Sequence, residues 1–311
     1  MHSASARRLN NAAASLPILC AFSVYTACLP PAAHAQQSAQ QLADAGVAAK
    51  NNGQYDLAIS DFSQAIAMQP DNEYLYNRRG YCYDQSQEYD LAIADYNKAI
   101  DLKPDDVQTY LFRATAYGHK GLLDMTITDC SKAITLAPDR PDLYVTRSFA
   151  YNLEKHYDLA IADCTKALKL NPNDEQAYTY RAIAYSDNNQ YDLSIADSSR
   201  AIGLNPTDAE AYRSRGYSYC FQKEYDHALT DFTKSSQLAP EPSDDQFAYG
   251  YVNACRGNWD KANEAYTKAL KTATPDQITG NIEDIQTALS ANPNSKALMK
   301  ALDLLKTASL P

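Results

Sequence analysis

The stretch EYLYNRRGYCYDQSQEYDLAIADYNKAIDLKP, residues 73–104, carries two helical patterns with a break between them. Tyr76, Gly80 and Tyr83 are spaced by four and three, which puts them on one face of a first helix. The segment from Gln85 to Glu88 interrupts that spacing, and Tyr89-Asp90 opens a second helix with the apolar stripe Leu91, Ala92, Tyr96, Ala99 and Ile100. Asp90 suits the positive N-terminal end of that helix. Pro104 lacks the N–H that a continuing helix needs, and Asp105-Asp106 then supplies acidic caps for the next helix. A helix pair of this length has one apolar face and no closed core, so it is stable only against further copies of itself.

The copies are present. Pro70, Pro104, Pro138, Pro172, Pro206 and Pro240 follow one another at intervals of 34 residues. Tyr76, Tyr110, Tyr144, Tyr178 and Tyr212 hold one phase of that period, and Tyr83, Tyr117, Tyr151, Tyr185 and Tyr219 hold another. Between these aromatic positions the chain keeps Gly46, Gly80, Gly216 and Gly250, or the small substitutes Ala114, Ser148 and Ala182. Over about residues 39–276 the shared pattern, clearest in Tyr76, Gly80, Tyr83, Ala92, Tyr96, Ala99 and Pro104, resembles the tetratricopeptide repeat family.

That resemblance implies an all-α fold, a right-handed α-solenoid of helix-turn-helix repeats. Six repeats end at Pro240, with Thr207, Asp208 and Glu241 suited to the connecting turns. A seventh carries Trp259-Asp260, Ala262, Tyr266 and Ala269, its proline slipped by one to Pro275. Beyond it, Ile278, Ile282, Ile285 and Leu289 define one amphipathic helix, and after Pro293 Leu298, Leu302 and Leu305 define another. The expected division is a signal peptide at 1–35, an array of about seven repeats at 36–276, and C-terminal capping helices at 277–311.

The N-terminal expectation rests on Arg7-Arg8, the mostly apolar run from Leu16 to Leu29 and an Ala33-His34-Ala35 site before Gln36, the three parts of a secretory signal. Export by a lipid anchor on Cys28, or by a twin-arginine route through Arg7-Arg8, matches its pattern less well. Cleavage after residue 35 takes away two arginines and no acid, so the formal charge of -10 becomes -12. The chain contains no basic run, which argues against nucleic acid and, unless Cys28 is acylated, against a membrane surface as partner.

Of seven cysteines, Cys82, Cys130, Cys164, Cys220 and Cys255 fall outside the export segment. Their odd number, and the absence of CxxC or CxxH spacing, argue against a disulfide scaffold, a zinc site or a redox pair. Cys130 and Cys164 share the phase of Phe62, Tyr96 and Phe232 and read as small core residues. His119, His156 and His227 occupy different repeats and phases, and no phosphate loop or nucleophile elbow occurs, so neither an enzyme nor a cofactor or metal site is expected.

Two charged rows share the period: Arg79, Arg113, Arg147, Arg181 and Arg215, and Asp61, Asp95, Asp129, Asp163, Asp197 and Asp231. An arginine beside a small packing residue lies near a helix interface, where an unpaired charge is costly, so the rows are expected to pair as a structural ladder. Spacing alone permits pairing within a repeat, as Arg79 with Asp95, or between repeats, as Arg79 with Asp61.

The resemblance also implies an inner groove lined by the residues 27 and 23 positions before each proline. These are Asn77 and Tyr81, Leu111 and Thr115, Val145 and Phe149, Thr179 and Ile183, and Arg213 and Tyr217, with Phe247 and Tyr251 the corresponding residues of the seventh repeat, whose proline is slipped by one. The Lys and Asn pairs with which one branch of the family grips a C-terminal carboxylate are absent from these places. The expected function is a non-enzymatic protein-protein interaction scaffold of the cell envelope, periplasmic or secreted, with a partner segment in the groove. The alternative is a binding module for a glycan or lipid on the tyrosine-rich face.

Overall fold

The computed structural model describes residues 31–239 and 242–309, and within them every regular element is a helix. Seven helical hairpins follow in order: α1 (Pro31–Asn51) with α2 (Tyr55–Met68), α3 (Glu73–Gln85) with α4 (Tyr89–Leu102), α5 (Val107–His119) with α6 (Leu123–Leu136), and α7 (Pro141–Leu153) with α8 (Tyr157–Leu170). Then come α9 (Glu175–Asp187) with α10 (Tyr191–Leu204), α11 (Ala209–Phe221) with α12 (Tyr225–Leu238), and α13 (Pro242–Cys255) with α14 (Trp259–Ala269). Two further helices, α15 (Pro275–Ala291) and α16 (Lys296–Ala308), follow within the described residues. Each helix packs on the one before it from α1 to α14, the arrangement of an α-solenoid. The expected signal peptide lies outside the described residues up to 30, together with Arg7, Arg8 and Cys28, while Ala33-His34-Ala35 falls in the first turns of α1. Pro240 and Glu241 also lie outside.

Local chemistry fixes both kinds of turn. Between repeats, Asn72, Asp106, Asp174 and Asp208 cap the helices that follow them, each side chain accepting from a backbone N–H of the first turn. The hydroxyls of Tyr76, Tyr110 and Tyr144 donate to the carbonyls of Pro70, Pro104 and Pro138 at 3.0–3.1 Å, tying the first-phase tyrosine to the turn it leaves. Within repeats, one residue per hairpin takes a left-handed backbone: Gly53, Gln87, Gly121, Lys155, Asn189, Lys223 and Gly257. The residue after it donates to the carbonyl five positions back, as Glu88 to Tyr83 and His156 to Tyr151, both at 2.8 Å. These two features close the C-terminus of the first helix without a buried orphan carbonyl.

The charged rows pair within the repeat. Arg79 grips Asp95 in a fork, Nε to Oδ2 at 2.8 Å and Nη2 to Oδ1 at 2.7 Å, and the same fork joins Arg113 to Asp129, Arg147 to Asp163, Arg181 to Asp197 and Arg215 to Asp231. The link between repeats runs to a neutral group: the remaining Nη1 of each arginine donates back to Ser63, Asn97, Ser131, Thr165 or Ser199 on the preceding hairpin. Each guanidinium also lies within 6.0 Å of two tyrosine ring centres, Tyr76 and Tyr83 in the case of Arg79. Asp61 belongs to no such fork, because Ala45 stands where an arginine would reach it. The ladder ends at the other side too, with Tyr249 and Ala265 in the two places.

Inside each hairpin, the small residue of the first helix faces one side chain of the second. A Cβ on Gly46, Gly80, Gly216 or Gly250 would come within 2.8–2.9 Å of the rings of Phe62, Tyr96, Phe232 or Tyr266. The other three hairpins exchange the sizes: Ala114 is matched with Cys130, Ser148 with Cys164, and Ala182 with Ser198, all buried. Ring volume and Cβ volume therefore trade across one contact, as close packing requires.

Two outcomes are expected. Arg147→Ala leaves Asp163 buried without its partner and costs about 3 kcal/mol or more of unfolding free energy, measured by urea denaturation. Gly80→Ala costs about 1–3 kcal/mol through overpacking against Tyr96. In the background of Tyr96→Cys the same substitution is nearly neutral, so a double-mutant cycle returns a coupling above about 1 kcal/mol.

Candidate functional site

Successive first helices touch one another, α1 with α3, α3 with α5, α5 with α7, α7 with α9 and α9 with α11, whereas successive second helices do not pack in this way. The stack therefore curves with its first helices on the inside, and the residues that those helices present there form the candidate site.

The two expected groove rows behave differently. The row 23 positions before each proline, Tyr81, Thr115, Phe149, Ile183 and Tyr217, is half-buried and faces the inner side. The row 27 positions before lies at the junction with the next hairpin. Asn77 donates to Asp106 at 3.2 Å and to Thr109 at 2.7 Å, and Thr179 donates to Asp208 at 2.6 Å, so both side chains are spent on the following helix cap. Val145 is 6% exposed and Thr179 3% exposed. Leu111 is half-buried beside the apolar cluster around Tyr110 and Leu143, and Arg213 is held by Glu210 at 2.9 Å. The expected groove residues are therefore placed unequally, because moving four residues back along a first helix reaches the turn against which the next hairpin stacks.

Between these rows the structure brings in residues that the reading of the sequence did not single out. Phe112 lies 6.0 Å from Tyr81, and Tyr180 lies 5.6 Å from Phe149, ring centre to ring centre. Lys50 sits over the Tyr81 ring at 5.2 Å. Phe149, Tyr180 and Ile183 wall a cleft of about 420 Å³ that also receives Asn152, Leu153 and Gln176. The amide nitrogen of Asn152 donates to the Tyr180 carbonyl at 2.9 Å, while its buried Oδ1 has no protein partner. An apolar wall of this kind suits an extended or helical peptide.

The C-terminal part of the inner face is covered. Phe247 and Tyr251 are 0% and 1% exposed and belong to the same buried apolar cluster as Ile278, Ile285 and Ala288 of α15. They are core residues rather than open groove, because α15 does not extend the stack as an end cap. Across a cavity of about 600 Å³, its Asn281, Asp284 and Thr287 face Ile183 and Asp187 of α9 and Tyr217 of α11. Lys155, held out by its left-handed turn, reaches Glu283 of α15 at 3.4 Å. The capping position is taken by α16, which packs directly on α13 and α14.

Exclusion of water pushes Asp284 up to about 7, with Asp187 and then Glu283 adding in the same direction. The same effect raises Asp187 to about 6, opposed by Lys155, although Asp187 keeps an exposed edge. The other charged groups lining this cavity are Glu210 and Arg213. Burial also pushes the thiols up, Cys82 and Cys255 to about 11 and Cys130 and Cys164 to about 12, which keeps them protonated and chemically quiet near neutrality. Among the described residues no group of three His, Cys, Asp or Glu is placed to hold a metal ion, and no helix is long and apolar enough to cross a membrane.

Family signatures described as tetratricopeptide repeat match residues 43–107, 141–174 and 164–196. No curated protein matches the sequence. Among solved structures, a tetratricopeptide repeat protein from Parabacteroides merdae ATCC 43184 superimposes with a TM-score of 0.63 at 18% identity, over 87% of this chain and 99% of that one. PilW, described as a widely conserved type IV pilus biogenesis factor, does so with a TM-score of 0.58 at 18% identity, over 74% of this chain and 98% of that one. At these identities the likeness is one of fold.

The carboxyl pair gives a prediction with a definite sign. Asp284 and Asp187 bind protons more tightly in the folded chain than in the unfolded one, so their contribution to stability is greatest at low pH. It is lost as pH rises from about 4, the unfolded value, toward the folded values of about 6 and about 7. Asp284→Asn is therefore expected to melt with the wild type at pH 4 and a few degrees above it at pH 8, followed by circular dichroism.

Proposed function

We propose that this chain, which belongs to the tetratricopeptide repeat family, is a non-enzymatic scaffold of the cell envelope that holds a segment of another protein along its inner face. The family is one of protein-interaction scaffolds, and the observation that carries the reading here is the half-buried row Tyr81, Thr115, Phe149 and Ile183, with the cleft walled by Phe149 and Tyr180. A surface of this kind leaves aromatic and aliphatic area in water, and covering it with a partner's apolar side chains returns that area to a dry contact. The secretory pattern of residues 1–35 supports the envelope as the place where this happens, with Gln36 as the first mature residue.

The test is photo-crosslinking in cells from a reactive residue placed at position 176, on the exposed rim of the same cleft. A discrete protein adduct that disappears with Phe149→Ala/Ile183→Ala, both variants retaining wild-type helicity, is the expected result. The mature chain is expected to begin at Gln36 on N-terminal sequencing. Retention on envelope polysaccharide with no protein adduct would overturn the scaffold in favour of a glycan-binding role.

A further inference from the structure

The chain places one of its own helices over the C-terminal part of the inner face, and the way it does so identifies the occupant that this face accepts. Ile278, Ile282 and Ile285 stand at i, i+4 and i+7 of α15, followed by Ala288 and Leu289. Ile278, Ile285 and Ala288 join the buried cluster of Phe247 and Tyr251, against which Tyr217, Ile282 and Leu289 also pack. One acidic residue beside that stripe, Glu283, meets Lys155.

Three features mark this helix as a resident rather than a fixture. First, it is looped out of the stack: the exposed linkers around Lys271–Thr274 and Asn292–Asn294 flank it, and although α15 packs along α16, α16 also has its own direct packing on α13 and α14. Lifting α15 leaves the order of the solenoid intact. Second, its fit is loose, with a cavity of about 600 Å³ between it and the helices it covers, and Gly280 in its middle with no neighbour within 4 Å of where a Cβ would stand. A glycine there weakens the helix relative to alanine and contributes no contact in return. Third, Asp284 is brought toward Asp187, two carboxyls with like charge when ionised, while Lys155 spends its ion pair on Glu283.

We propose that the inner face selects an amphipathic α-helix of another protein, that α15 is the chain's own occupant of that site, and that the partner helix binds by displacing it. The inference rests on the inner face being the partner surface, and it adds the partner's chemistry. That helix carries aliphatic residues at i, i+4 and i+7, an acid just after the second of them to meet Lys155, and a neutral or cationic residue where α15 has Asp284. Such a helix keeps every favourable contact of α15 and removes the carboxyl apposition.

The experiment uses the full chain and a fluorescent peptide of residues 275–291 carrying Asp284→Asn, whose label distinguishes its mass from the resident helix. Binding is read by anisotropy at pH 8, and amide hydrogen exchange is followed with and without peptide. The proposal expects saturable binding that strips protection from 275–291 while leaving 296–308 protected. It expects binding about two- to fivefold tighter to the Glu283→Lys chain, whose own α15 has lost its ion pair to Lys155. It expects weaker binding to the Asp284→Asn chain, whose resident helix has been improved. Binding that leaves exchange in 275–291 unchanged, or no saturable binding to any of the three chains, overturns it. Either result alongside an intact Phe149-dependent protein adduct leaves the scaffold standing without displacement. Peptide binding with no such adduct does the reverse.

Discussion

The stacking of this solenoid is registered by one guanidinium in each of its five central hairpins. Arg147 is representative: two of its nitrogens grip Asp163 on the second helix of its own hairpin, the third reaches Ser131 on the second helix of the hairpin before, and Tyr144 and Tyr151 flank it. Three helices from two repeats are thereby fixed to one planar, always-charged group whose directions cannot be adjusted independently. Apolar contacts between stacked hairpins are non-directional and tolerate sliding; the fork does not. The regular curvature that sets Tyr81, Thr115, Phe149 and Ile183 in one line follows from repeating that junction.

Within that frame, the hairpins are less uniform than their spacing suggests. Four pack a ring on a glycine, and three pack a small side chain on alanine or serine. The exchange keeps the interhelical contact filled while changing what fills it, so the middle hairpins hold thiols and hydroxyls where the outer ones hold rings. The chemistry of the thiols follows from their role as filler: water cannot reach them to stabilise a thiolate, and they remain quiet.

Most of this was open to reading from the chain. A fixed interval between prolines, with tyrosines in two phases, is enough to place fourteen helices, and the coincidence of the arginine row with small packing residues identifies it as structural. The choice between Asp95 and Asp61 as partner for Arg79 was not readable, since it depends on side-chain direction across a gap that spacing does not determine. The left-handed turn positions were hidden because Gln87, Lys155, Asn189 and Lys223 occupy them alongside three glycines. The position of α15 was hidden for a different reason. An amphipathic pattern tells which face of a helix is apolar, and Ile278, Ile282 and Ile285 fit a stack end as well as an aromatic floor. The same ambiguity put Phe247 and Tyr251 among the open groove residues, where in fact they are covered.

The ladder stops short of both ends of the array: Ala45 leaves Asp61 without a fork, and Tyr249 with Ala265 replaces the pair in the last hairpin. In a one-dimensional stack, where each unit is held only by its neighbours, the free energy of opening a unit is set by its own two junctions. The central repeats consequently form a stiff rod, and the terminal hairpins are compliant couplings at either end of it. A load pulled through the two ends of such a chain is taken up first by the outer units, and the inner face keeps its shape while they give.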